Sequence, residues 1–332
     1  MMFKFNQQAP LDVICVGRAT VDIYAKDIGL LENAKTFAKY LGGSPANTAV
    51  AMAKQGLNVG VITKVSADGM GNFVKNYLSH EHIDISNVVT DQDGHLTGIT
   101  IGEILGGGKC SCLMYRNDCA DLYLRPEEIN ENYIKKAKSV LISGTSLSKS
   151  PAREAVLKII KVAKDLGVVV IFDPDYREGT WSNKDDASTY LSLAATLSDL
   201  IISTDDEMQL VYKGLNKSIA YSKDIVAESL LKAGVSMVNI KDGSRGSTIY
   251  TADLKVNCPC YSIPGVLKTF GAGDSYAAGF VAQIIENGDC KFAAQRGAAS
   301  AAITISGHSC SESAPTYNQV QEFMKTHELN LQ

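Results

Sequence analysis

The run Thr269, Phe270, Gly271, Ala272, Gly273, Asp274 sets small residues and one carboxylate at the start of a segment where Ala277, Ala278, Phe280, Val281, Ile284 and Ile285 recur at helical spacing. The spacing predicts a buried helix from Ala272 to about Asn287. Its N-terminus offers free backbone N–H groups and about half a positive charge, which together make an anion site. An acidic residue in a first turn can also simply complement the helix dipole. Glycines on both sides of Ala272 are unneeded for that, because each costs about 1 kcal/mol of helix propensity relative to alanine. They suit close backbone approach to a phosphoryl group, with Asp274 taking a proton from an attacking hydroxyl. A second glycine-rich stretch, Lys241, Asp242, Gly243, Ser244, Arg245, Gly246, follows an apolar run. It can wrap phosphates or serve as a plain turn between two strands.

The elements that must position these groups follow a regular rhythm. Short β-branched runs at Val13–Val16, Val59–Lys64, Val140–Ser143, Val168–Asp173, Leu200–Ser203 and Val238–Lys241 alternate with longer helical patterns. Several runs are apolar throughout, as parallel strands covered on both faces are. Helices are expected at Pro45–Gln55, with Ser44 as N-cap, and at Pro151–Leu166, with Ser150 ahead of it and Gly167 as the stop. Two segments break the rhythm: Val21–Tyr40, and Leu96–Tyr115 with its Gly106, Gly107, Gly108 turn. They read as exposed antiparallel strands, the second as a hairpin of Thr97–Leu105 and Lys109–Tyr115. The expected fold is α/β: three layers, a mostly parallel central sheet with helices on both faces, and a small β-sheet lid. Residues 1–332 are expected to form one domain, with lid strands inserted at about 18–40 and 95–118.

Composition narrows the field of activities. The 332 residues are 45% hydrophobic and carry 36 acidic groups against 32 Lys and Arg, a net charge of -4. Without basic blocks there is no electrostatic footprint for nucleic acid or anionic membrane, and no apolar run approaches the roughly 18–20 residues of a spanning helix. Asn6, Gln7, Gln8 and Pro10 interrupt the N-terminus before a secretory signal could form. Eight cysteines then read as reduced thiols in a cytoplasmic protein. The pairs Cys110/Cys112 and Cys258/Cys260 have no histidine beside them and fit alternation on a strand better than a metal site. Neither a Walker A pattern nor a dinucleotide fingerprint follows a strand, which argues against P-loop enzymes and Rossmann oxidoreductases.

Gly271–Asp274 after Thr269, together with Gly42, Gly43, Ser44, Pro45, Ala46, Asn47, resembles the two signatures of the ribokinase-like (PfkB) carbohydrate kinases. The likeness extends over Gly17 with Asp22, over Asp173 to Arg177, and over Lys241, Gly243 and Gly246. It implies ATP with Mg2+, Asp274 as general base, and an anion hole from Gly271, Ala272 and Gly273. It implies a sugar site from Asp22, Gly42, Gly43 and Asn47. Arg18, Arg116 and Arg177 fall where acid-sugar kinases contact substrate, and guanidinium groups pair well with a carboxylate. For Arg116 and Arg177 the other reading is a salt bridge, with Asp118, Asp121 or Asp175.

By the same likeness Lys241, Gly243 and Gly246 bind nucleotide and Glu207 organises the magnesium. The helix Phe292–Ile305 with the loop Gly307–Ser313 matches the adenine side and a region holding a monovalent cation such as K+. Within the family, residues Val16–Asp22, Ser44–Asn47, Tyr115–Asp121, Asp173–Trp181 and Lys268–Tyr276 resemble the subgroup whose acceptor is 5-dehydro-2-deoxygluconate, an intermediate of inositol catabolism; 2-keto-3-deoxygluconate or a fructose-like sugar is the alternative. A non-catalytic binding regulator is the alternative of a different class. Pairing of two copies through the lid is a further expectation. This chain departs from the family pattern in three places: Lys268 stands for an acidic residue, where it is expected to add charge beside the phosphates; Asp175 stands for an Asn; and Thr204 replaces the Asn of an Asn-x-x-Glu element that keeps Glu207.

Overall fold

The computed structural model describes residues 2–215 and 220–330. In chain order the first half contains β1 (Leu11–Val16), β2 (Thr20–Ile28), β3 (Phe37–Gly42), α1 (Ser44–Lys54), β4 (Val59–Val65), α2 (Gly69–His80), β5 (Asp84–Thr90), β6 (Ile99–Gly106), β7 (Lys109–Tyr115), α3 (Glu131–Ile134), β8 (Ala137–Ser143) and α4 (Ala152–Leu166). The second half contains β9 (Val169–Asp173), α5 (Lys184–Leu197), β10 (Leu200–Thr204), α6 (Asp205–Leu215), α7 (Lys223–Lys232), β11 (Met237–Lys241), β12 (Ser247–Tyr250), β13 (Lys255–Cys258), α8 (Ala272–Glu286), α9 (Cys290–Ile305) and α10 (Tyr317–Thr326).

The central sheet has the order β13-β12-β11-β10-β9-β8-β1-β4-β5. All its pairs are parallel except β11–β12 and β12–β13, which form an antiparallel edge. Alternation along β1 explains why the strands are apolar throughout. Val13 and Cys15 join the core under α1, α8 and α9, whereas Ile14 and Val16 join the opposite core under α4 and α5. This is the three-layer arrangement the sequence implies. Among the described residues no helix is long and apolar enough to cross a membrane.

The lid is a separate sheet, β3-β2-β6-β7. The β6–β7 hairpin closes over Gly107 and Gly108, both at positive φ (60° and 78°), as a tight turn between twisted strands requires. Within each excursion the strands pair antiparallel, as expected, β2 with β3 and β6 with β7. The two excursions join through β2 and β6, which pair in parallel, Val21 opposite Ile99 and Tyr24 opposite Gly102. Each excursion leaves the top of the central sheet in the same direction, after β1 and after β5, so the first strands of the two lie side by side.

Helix starts also differ from the sequence reading. Ser44 is not the cap of α1: Gly43 is, at φ 88°, and Ser44 lies inside the first turn. Likewise α4 begins after Pro151 with no side-chain cap from Ser150, although Gly167 ends it in the left-handed conformation as expected.

Candidate active site

Chain ends of the parallel strands converge above the sheet. Arg18 follows β1, Asp173 ends β9, Thr204 ends β10 and Lys241 ends β11, all at the carboxyl edge where open α/β sheets bind ligands. Next to them α8 points its N-terminus into the same space. Gly271 caps it at φ 78°, a conformation that favours glycine, and a Cβ there would stand 2.8 Å from Cys310 Cβ. The predicted helix is therefore present almost to the residue, ending at Glu286.

Two cavities meet at this helix start. One, of about 260 Å³, is lined by Arg18, Asp22, Gly43, Asn47, Arg177 and Asp274 together with lid residues Tyr24, Thr100, Cys112 and Met114. The other, of about 500 Å³, has Lys241, Gly243 and Gly246 at one side and Tyr276, Ala298, Ala301, Ala302 and Ile305 as an apolar wall. Thr204, Lys241, Thr269 and Gly273 line both. A polar pocket under the lid and an apolar slot thus share a border at the anion-binding end of α8.

Asp274 sits on that border with its carboxylate oriented by two donors from α1. Ser44 Oγ donates to Oδ1 at 2.7 Å and Asn47 Nδ2 to Oδ2 at 3.2 Å. Burial and the neighbouring Asp175 raise its pKa, opposed by Ser44, Arg177 and Asn47. A carboxylate held in place with a raised pKa is suited to accept a proton. Asn47 Oδ1 is buried without a partner, an acceptor available to a hydroxylated ligand.

The two glycines differ in what they do, and only Gly43 is placed to approach a ligand as expected of both. A Cβ on Gly42 would fall 1.8 Å from Asp22 Oδ1, so Gly42 makes room for Asp22, while Gly43 itself lines the pocket. Asp22 accepts a hydrogen bond from Tyr24 Oη, and burial raises its pKa.

Of the three arginines, two reach the pocket. Arg177 Nη2 lies 2.7 Å from Asp175 Oδ1 and Arg18 Nη2 3.4 Å from Asp175 Oδ2. Burial alone would raise Asp175, but Arg177 and Arg18 hold it below the usual carboxylate range. Arg18 Nε is buried without an acceptor. Arg116 is elsewhere: its side chain is 2% exposed, its Nε donates to Asp121 at 3.0 Å, and it does not line the pocket. Here the salt-bridge reading is the one found. Cys119 to Tyr123 folds back under the end of β7 and brings Asp121 to the arginine.

For a divalent cation the donor set fits. Asp173 and Glu207 both line the polar cavity. Glu207 is held by Thr204 N at 2.8 Å, Thr204 Oγ1 at 2.9 Å and Tyr176 N at 3.1 Å, so the hydroxyl of Thr204 does orienting work where the family carries an amide. Burial pushes Asp173 up to about 7, Glu207 and Asp175 adding to the shift, with Lys241 at 3.8 Å opposing it. Two crowded carboxylates with oxygen lone pairs to spare are what magnesium with its retained waters would neutralise.

Lys268 overturns the expectation of charge beside the phosphates. It is fully buried and lines neither cavity; its Nζ donates to the carbonyl of Phe270 at 2.7 Å. The charge of Lys268 acts on Cys310 of the Gly307–Ser313 loop, so a monovalent cation at that loop would lie against an ammonium, and the residues present there do not fit one. Sequence reasoning missed Ser44, Asp173 and Tyr24 as site residues. Tyr24 gives no local signal, Asp173 stands out in the sequence only as the start of the Asp173 to Arg177 segment, and the adjacent Pro45 made Ser44 look like a cap.

Comparison with known proteins adds the following. The model of the pfkB family carbohydrate kinases matches residues 11–317. A Geobacillus kaustophilus protein named 5-dehydro-2-deoxygluconokinase is 43% identical over 326 residues, 97% of this chain and 96% of its own. Among solved structures, fructokinase with bound ATP from Xylella fastidiosa superposes with a TM-score of 0.84 at 21% identity, covering 95% of this chain and 98% of that one. A fructokinase double mutant from Vibrio cholerae, in fructose, ADP and potassium ion bound form, gives 0.84 at 20% identity, covering 96% and 100%. At these identities the structural likeness concerns the fold.

Proposed function

The chain belongs to the pfkB family of carbohydrate kinases, and from that premise we propose that it transfers the γ-phosphoryl group of ATP to the primary hydroxyl of 5-dehydro-2-deoxy-D-gluconate. The observation that carries the reading is the shared border of the two cavities at the start of α8, with Asp274 on the polar side. The choice of acceptor is supported by the activity named for its 43% identical relative and by two guanidinium groups in the polar pocket.

In the proposed reaction the sugar lies under the lid with its hydroxyls toward Asp22 and Asn47 and its carboxylate toward Arg18 and Arg177. Asp274 accepts the proton as the hydroxyl O–H bond breaks. The new O–P bond forms while the bond between the β,γ-bridging oxygen and the γ-phosphorus breaks, and ADP leaves. Gly271 and Gly273 present N–H groups to the transferring phosphoryl, a preorganised electrostatic contribution, whereas the Ala272 N–H donates to Thr269 O at 3.3 Å. ATP occupies the apolar slot beside Lys241, Gly243 and Gly246. Glu207 and Asp173 would hold a magnesium ion, which would supply charge neutralisation at the phosphates. Arg116 has a structural place in this scheme.

The lid also supports pairing of two copies. Alternation on β7 turns Cys112 and Met114 into the pocket and leaves Leu113 and Tyr115 outward, at 53% and 59% exposure. Light scattering at twice 35.6 kDa is the expected result.

The test is a phosphorylation screen of purified protein with ATP, followed by ADP release. The panel contains 5-dehydro-2-deoxygluconate, 2-keto-3-deoxygluconate and fructose. Preference for the first, by kcat/KM, supports the reading. Preference for another substrate reassigns the acceptor, and ADP release with none overturns the kinase proposal in favour of a binding regulator.

A further inference from the structure

Lys268 is a fully buried lysine whose role the proposed reaction does not use. Taking an ammonium out of water costs several kcal/mol after relaxation, and here the cost falls on a residue with no carboxylate in ion-pair contact among the described residues. Burial lowers its pKa, with the more distant charges of Cys310, Cys110, Asp274 and Asp22 working the other way. A methionine of similar length would fill the same space without that cost.

What the ammonium does hold is the carbonyl of Phe270, at 2.7 Å, one peptide before the N-cap of α8. The lysine itself is anchored from behind. Leu267 N and Lys268 N both donate to Ile305 O, at 3.0 and 3.3 Å, so the loop hangs from the C-terminus of α9. From the front, the Phe270 ring packs on Tyr24 of the lid, centroids 5.7 Å apart, and Tyr24 in turn donates to Asp22. Phe270 therefore joins the lid to the anion-binding glycines, and Lys268 fixes its backbone. A positive charge fixed behind a carbonyl orients the peptide dipoles that follow it, here those of Gly271 to Gly273.

We infer that Lys268 is a positioning residue whose buried ammonium fixes the Phe270 peptide and the N–H groups of Gly271–Gly273, and that this built-in charge makes phosphoryl transfer independent of an added monovalent cation. The inference rests on the kinase reading for its rate measurements, but not for its binding measurement.

The experiment has two arms. In the first, wild-type protein is assayed in tetramethylammonium chloride with and without about 100 mM KCl at constant ionic strength, so that screening is unchanged. The turnover number, and the affinity for the magnesium complex of a non-hydrolysable ATP analogue measured by calorimetry, are expected to agree within about two-fold. In the second, Lys268→Met is compared with wild type. The expected result is a turnover number lower by about ten-fold or more, with the sugar KM within about two-fold and the fold retained by circular dichroism. Stimulation of wild type by potassium beyond about five-fold, in rate or in nucleotide affinity, overturns the inference, as does a Lys268→Met protein of wild-type turnover or one altered in KM alone. Should Lys268→Met fail to fold, the wild-type arm decides by itself. If no sugar is phosphorylated, the kinase reading fails separately and the calorimetric comparison still decides.

Discussion

Ser44 and Asp274 stand 230 positions apart, and Ser44 Oγ donates a 2.7 Å hydrogen bond to Asp274 Oδ1. The bond ties the first turn of α1 to the first turn of α8, two helices packed against each other on one face of the sheet. The same glycine-capped turn that shapes the polar pocket thereby holds the carboxylate at the N-terminal end of α8.

Replacing Asp274 by Asn keeps the shape and removes the proton acceptor. Turnover should fall by about 10² to 10⁴, while sugar binding measured by calorimetry stays near wild type. Wild-type turnover would sink the assignment of Asp274 as base.

Ser44→Ala should move the pH profile. Asp274 must be ionised to accept a proton, and the Ser44 hydrogen bond favours the ionised form. Losing it raises the pKa further, so the acidic limb of kcat/KM shifts to higher pH, and the loss of rate is greatest on the acid side. An unmoved limb would show that Ser44 does not tune this carboxylate.

Arg177→Met should raise KM for a carboxylated sugar by at least about ten-fold, the scale of one charge-assisted hydrogen bond, and leave a neutral analogue such as fructose nearly unaffected. Steady-state kinetics on both sugars makes the comparison. Equal effects on the two would argue against carboxylate recognition.

Arg116→Met should behave in the opposite way. It strands Asp121, whose side chain is 5% exposed, without its partner. Breaking a buried pair typically costs about 3–5 kcal/mol, visible as a lower denaturation midpoint, whereas sugar KM in the folded fraction stays put. A KM effect without a stability effect would return Arg116 to the substrate site.

Asp173 gives a linkage prediction. Its pKa in the folded protein is pushed up to about 7, above its value in the unfolded chain, so the native state holds the extra proton. Metal-free stability should therefore decline as pH rises from about 4 to about 7 and level off above. Asp173→Asn should remove part of that decline and melt higher than wild type at pH 8 without magnesium. A variant whose melting curve follows the wild-type pH dependence would contradict the shift.

Much of the fold was legible because its determinants are local. Apolar runs such as Val59–Lys64 are short enough for strands and too apolar for one-sided burial, which already demands a sheet covered on both faces. Gly271 to Asp274 was legible for a related reason: a helix start rich in glycine is anion-binding chemistry written in consecutive residues. The partner of Arg116 was less legible. Asp118, Asp121 and Asp175 were all available, and only the backbone turn after β7 selects Asp121. Lys268 misled because charge in a motif suggests a ligand, while its depth is set by packing of the loop against the end of α9.

By itself the sequence determined the layers, the lid's two insertions, the helix whose first turn carries Asp274, and the residue types offered to a sugar and to phosphates. These follow from periodicity, turn chemistry and small-residue spacing, which act over a few neighbours. Only the tertiary structure decided which charges meet: Ser44 with Asp274, Arg18 and Arg177 around Asp175, and the Lys268 ammonium against the Phe270 carbonyl. Ser44 with Asp274 and Arg18 with Asp175 depend on where segments far apart in the chain come to lie side by side, while Arg177 with Asp175 and Lys268 with Phe270 are near in sequence and are set by how packing folds a short turn, a relation invisible to local pattern.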